Sequence, residues 1–187
     1  RRIWGWLGIQ RYNHKNDFGV NFIRLGRAIA VQDKGVFDWE GEFGKESEYP
    51  IEVGDGRIVG EIHLDHAPVN FRKTDFDREN RAWATMYETV HGLAPLQPNK
   101  AKDLGMERTE TPLVLLFDGF RRNDPGLNYL VPGNGSTAIH ERARSWGDDF
   151  HKAVPGFETD EKWYAAAKNH DDIVNGVMTR YDDGSAP

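Results

Sequence analysis

The apolar residues of this chain change period once, and that change constrains the fold more than any other feature. Through Asp65 they alternate or cluster in short runs, as in Phe18, Val20 and Phe22, then Ile58, Val59, Ile62 and Leu64, the pattern of half-buried strands. Beyond Asp75 they recur as Ala82, Trp83, Met86, Tyr87 and Val90, the spacing of one helix face. Strands first and helices afterwards predict an α+β fold: a mixed β-sheet with helices on one face, followed by a helical C-terminal part. The expected division is an α+β domain over 1–105 and a mainly helical extension, packed on it, over 106–187.

Strands are expected at Leu7–Tyr12 and Phe18–Leu25, joined as a hairpin by the polar run 13–17. A tight turn at Leu25-Gly26-Arg27 leads to a short strand Ala28–Val31. Residues 33–47 read as a loop that packs Val36, Phe37, Trp39 and Phe43 against the sheet. A fourth strand, Glu48–Val53, turns at Gly54-Asp55-Gly56 into the long strand Arg57–Asp65. Thr74 or Asp75 is expected to cap the next helix, which ends at His91-Gly92. Leu93–Gly105 is a connector with a short helical turn. Thr111-Pro112 opens a helix through Arg122, for which a strand is the rival reading. Ser136 caps a helix whose stripe is Ala138, Ile139, Ala143, Trp146 and Phe150, and Thr159 opens another around Trp163, Tyr164 and Ala167. The last residues, 182–187, read as a frayed tail.

The chain has 187 residues, a net charge of −6 and no cysteine. The charge argues against a general nucleic-acid binder. The missing cysteines exclude disulfides, thiolate metal sites and cysteine nucleophiles, in keeping with a cytoplasmic location. No apolar run is long enough to span a bilayer. The start at Arg-Arg-Ile-Trp, without an initiator Met, is that expected of an excised or processed piece of a longer protein.

The stretch Arg57–Trp83 joins the long strand to the helix through Ala67-Pro68-Val69-Asn70-Phe71-Arg72-Lys73-Thr74-Asp75-Phe76. A lysine at a strand–helix junction can reach outside its own domain, and its ammonium is a point charge suited to a phosphate. Two segments resemble the transducer domain of GHKL-type ATPases, the group of gyrase, the heat-shock chaperones, MutL and MORC. Phe18–Ile29 resembles the strand–turn–strand that opens that domain, where an asparagine or leucine, then glycine and arginine, form the turn after an apolar strand. Arg57–Phe76 resembles its later strand and catalytic-lysine loop, the loop being Ala67–Phe76, with Lys73-Thr74-Asp75-Phe76 nearest the MORC form.

The resemblance covers the first half of the chain. It implies the fold of the second domain of ribosomal protein S-five, with Lys73 as catalytic residue and Arg72, Lys73 and Thr74 contacting ATP. It also implies ATP and Mg²⁺ as cofactors of the parent protein, none being expected in this piece alone. The implied partner is an upstream nucleotide-binding domain of the same parent, which would dimerise through that domain. The chain lacks that family's Asp-x-Gly-x-Gly motif and its Mg²⁺-holding asparagine helix, so alone it is not expected to be catalytic.

Other constellations have plainer readings. Arg24, Arg27 and Arg72 fit ion pairs with Asp75 and Asp77 better than a ligand role. His63, Asp65 and His66 offer the alternative of a metal-dependent hydrolase, with His63 and Asp65 two residues apart on a strand; hydrogen-bonded strand-end residues are the plainer reading. Gly133–Thr137 lacks the lysine of a phosphate loop and fits a helix start. The scattered tryptophans read as core. A non-catalytic protein- or DNA-interaction module is the remaining alternative, DNA having no support in the charge pattern.

Overall fold

The structure, a computed structural model, describes residues 2–42, 44–48, 56–122 and 124–178. The chain is α+β, with six strands and five α-helices among the described residues. It divides into two compact units, Arg1–Phe120 and Arg121–Pro187.

In the first unit, strands β1 (Trp4–His14), β2 (Gly19–Arg24), β3 (Arg27–Asp33) and β6 (Gly56–His63) form one mixed sheet in the order β1-β6-β2-β3. The polar run 13–17 therefore does not close a hairpin. β6 lies between β1 and β2, antiparallel to the first and parallel to the second. The alternation that identified each strand is blind to which neighbour it takes. β6 fits there because its inward residues Ile58 and Ile62 are apolar and Gly60 admits a close neighbour. A Cβ at Gly60 would stand 2.4 Å from Leu7 Cδ2 and 2.6 Å from the carbonyl oxygen of Trp6.

β2 and β3 do form a hairpin, closed by Leu25 and Gly26 with Arg24 paired to Arg27. Both turn residues have positive φ, 49° and 76°, as a two-residue turn matching the strand twist requires.

The run 33–47 is more ordered than a loop. A 3₁₀ turn, Gly35–Phe37, leads into a two-stranded sheet of β4 (Asp38–Gly41) and β5 (Gly44–Ser47). Of the expected strand Glu48–Val53 only Glu48 is described, and it lies outside any strand; the rest, with the turn residues Gly54 and Asp55, lies outside the described residues, as does the tail 182–187.

Helices α1 (Arg81–Val90), α2 (Pro98–Asp103) and α3 (Pro112–Arg122) follow. α1 begins later than expected. Its cap is Asn80, whose side chain accepts from the Ala82 N–H at 2.9 Å, and neither Thr74 nor Asp75 serves. Trp83, Met86 and Val90 from α1 join Leu113, Val114 and Phe117 from α3 on the sheet face carrying Val20, Phe22, Ile58 and Ile62. Tyr87 is partly buried against that core, and of the tryptophans expected to be core Trp83 lies in it while Trp4 and Trp6 on β1 are exposed.

The second unit holds α4 (His140–His151) and α5 (Glu161–Val174). Neither begins on a side-chain cap: the residue before α4 is Ile139 and that before α5 is Asp160. Ser136 and Thr159 thus do not cap them. Trp163 is buried, with the rings of Phe150, Trp146 and Phe157 at 5.8, 6.0 and 6.5 Å from its own. No described helix is long and apolar enough to cross a membrane.

Candidate phosphate-facing loop

The loop after β6 is built as a closed bracket. Val69 and Phe76 form an antiparallel bridge. Outside it, the Asp77 N–H donates to the Pro68 carbonyl at 3.0 Å; inside it, the Asn70 N–H donates to the Asp75 carbonyl at 2.9 Å. Asn70 then ties the tip to itself. Its carbonyl accepts from the Lys73 N–H at 2.9 Å. Its side chain accepts from the Thr74 N–H at 3.0 Å and donates to the Thr74 hydroxyl at 3.2 Å. This is the local pairing that makes Asn a turn residue. The four residues it encloses, Phe71, Arg72, Lys73 and Thr74, are all exposed.

Lys73 sits at φ 54°, a left-handed conformation that costs a non-glycine residue roughly 1–2 kcal/mol. The bracket holds that conformation, so the backbone at Lys73 is fixed while its stem is free. Neither Arg72 nor Lys73 makes a side-chain hydrogen bond or ion pair with a described residue. Thr74 is committed to Asn70 as an acceptor, which leaves its hydroxyl proton to donate.

The base of the loop is anchored on Arg78, a residue the sequence reading passed over. Its guanidinium pairs with Asp33 at the end of β3 and with Asp75 at 3.0 Å, and lies 4.7 Å from the Trp83 ring centroid. Burial lowers its pKa, but the two carboxylates outweigh this and raise it above its ordinary value. Asp75 therefore pairs with Arg78 and not with Arg24, Arg27 or Arg72. The only local signal for this pair is the three-residue spacing of Asp75 and Arg78.

The two segments that suggested the resemblance meet in space. The Leu64 N–H donates to the Ile23 carbonyl at 2.8 Å, the Leu25 N–H to Asp65 Oδ1 at 2.7 Å, and Arg24 Nε to the Ala67 carbonyl at 2.9 Å. The Leu25-Gly26 turn is thus bolted to the strand end from which the lysine loop springs. Arg24 acts structurally here, while Arg27 is exposed.

The alternative metal cluster does not assemble. His63 pairs with Glu61 at 2.7 Å and stacks on Trp4 at 3.6 Å, and Asp65 is engaged by Leu25. Among the described residues His63, Asp65 and His66 do not bring three ligand atoms together. Gly133–Thr137 keeps its N–H groups for its own unit. Asn134 Oδ1 accepts from Ser136 and Thr137 at 3.0 and 2.9 Å, and His170 Nδ1 accepts from Gly135 at 2.9 Å. These donors are not free for a phosphate.

No protein-family model, curated protein or solved structure matches the chain.

Proposed function

We propose that the first unit is the transducer domain of a GHKL-type ATPase, with a fold like the second domain of ribosomal protein S-five. In this reading Lys73 senses the γ-phosphate of ATP held by an upstream nucleotide-binding domain and relays nucleotide state to the rest of the parent protein. The observation that carries it is the bracketed loop: an otherwise unpaired ammonium on a left-handed residue whose backbone is fixed from both sides.

Unused donors on Arg72, Lys73 and Thr74 fit the terminal phosphate of a nucleotide and no larger part of it. Adenine and Mg²⁺ belong, in this reading, to the upstream domain. Bound Mg-ATP would supply the scissile phosphoanhydride and the charge that leaves on hydrolysis. Lys73 stabilises that charge as it develops, and Arg72 adds a second cation beside it. Loss of the phosphate removes the only group that Lys73 touches, which makes the loop responsive to nucleotide state.

The bond from Leu25 to Asp65 gives such a response a path, because it ties the β2–β3 turn to the segment from which the lysine loop springs. The mixed sheet with α1 and α3 on one face supports the same reading at the level of layers. A cytoplasmic location agrees with the absence of cysteine. Removing the Lys73 ammonium from the full-length parent and measuring ATP turnover tests the proposal.

A further inference from the structure

Phe71 stands at the lip of the lysine loop with its side chain wholly in solvent, at 101% relative exposure. No other exposed large apolar residue in the described structure is so far out; the next, Leu25 and Val177, reach 71%. Single exposed apolar residues are ordinary on a protein surface. This one is unusual in its support. It lies between Asn70, which makes the bracket, and two cations with no described partner. The bracket sets the backbone on either side of it, and an aromatic side chain has only two torsions to order when it docks.

We propose that Phe71 is a docking anchor that seats in an apolar socket on the nucleotide-holding domain, beside the bound terminal phosphate. This deepens the transducer reading and rests on it. The chemistry of the tip specifies the socket. One aromatic needs a single apolar pocket, and Arg72 and Lys73 need a compact anion at its rim. Asp75, Asp77 and Glu79 at the base of the loop disfavour an extended anionic surface such as a lipid bilayer, which would bring negative charge to all of them. An aromatic side chain buried inside a polar rim is the common anatomy of a specific protein contact. Phe71 thus positions Lys73: it fixes how far the loop reaches, and the lysine does the chemistry.

The test places 4-fluorophenylalanine at position 71 and reads its fluorine resonance in H₂O and D₂O. The chain alone should show the full solvent isotope shift of an exposed ring. The full-length parent with a non-hydrolysable ATP analogue should lose most of that shift, and Phe71→Ala should lower its ATP turnover while Phe71→Leu restores part of it. A ring that stays solvated in the ATP-bound parent overturns the anchor, whatever Lys73 does. So does burial only on anionic phospholipid vesicles, or burial in the chain alone that grows with concentration, since these assign Phe71 to a membrane or to self-association. Burial in the parent combined with normal turnover of Lys73→Ala would retain Phe71 as an interdomain contact and reject the phosphate reading. The two failures are therefore distinguishable.

Discussion

The backbone N–H of Leu25 donates to Asp65 Oδ1 across 2.7 Å, joining a left-handed turn residue to the end of the central strand. Leu25 pays a conformational cost at φ 49°, and the carboxylate offsets it. Asp65→Ala should destabilise the chain by about 0.5–1.5 kcal/mol, the net worth of one such bond. Asp65→Asn should keep most of it, since an amide oxygen also accepts. Urea melts of both variants check this, and equal losses for the two would argue against the bond.

Trp83 is 7% exposed, with its ring 4.9 Å from Phe22 and 5.6 Å from Phe76. It is the side chain that fastens α1 to the sheet and to the end of the lysine loop together. Truncation to Ala should cost about 3–5 kcal/mol. A loss under about 1 kcal/mol in denaturant melts would place the stripe in solvent.

Glu48 and His91 are a buried pair, 1% and 0% exposed, with Oε2 and Nε2 3.3 Å apart. The carboxylate also accepts from the Leu96 N–H at 2.9 Å, and Nδ1 of His91 faces the Gly92 carbonyl at 3.0 Å. Removing one member leaves the other a buried polar group with one neighbour fewer, so Glu48→Leu or His91→Leu alone should cost about 1–3 kcal/mol, and the double variant less than the sum. Additive losses in a double-mutant cycle would show that the two do not interact.

Burial, followed by the charges of Glu48, Asp38 and Glu40, raises the Tyr87 phenol above its ordinary pKa. A group whose folded pKa is raised stabilises fully below its unfolded value and progressively less as pH rises through the folded one. The melting temperature should therefore fall as pH climbs past about 10. Tyr87→Phe should make that fall shallower. Parallel slopes for the two proteins would remove Tyr87 from the alkaline limb.

What could be read from the sequence follows its local signals. The hairpin at Leu25-Gly26, strand β6, the Trp83–Met86–Val90 stripe and the Thr111-Pro112 helix start are each written in a few adjacent residues. The partner of β1 is not, because alternation fixes a strand's faces and leaves its neighbours open. β4 and β5 were missed because Gly41, Glu42 and Gly44 dilute two very short strands. At Asn80 the true cap competed with Thr74 and Asp75, equally good by composition, and only the Asn70 bracket, which spends Thr74 on a turn, decides between them. Lys73 was legible as a lysine at a junction. Its support from Asn70 and Arg78 was not, because the Asp33–Arg78 contact joins residues far apart in the chain.

The central claim is that Lys73 acts through its ammonium and contributes little to the fold. Lys73→Gly in the full-length parent is the most direct measurement, because glycine relieves the left-handed backbone while deleting the charge. ATP turnover should fall by about 10- to 1000-fold, the scale for one lost stabilising donor. ADP affinity should be unchanged, and the melting temperature equal to or above that of the unmodified protein. Normal turnover in a well-folded Lys73→Gly parent would contradict the account.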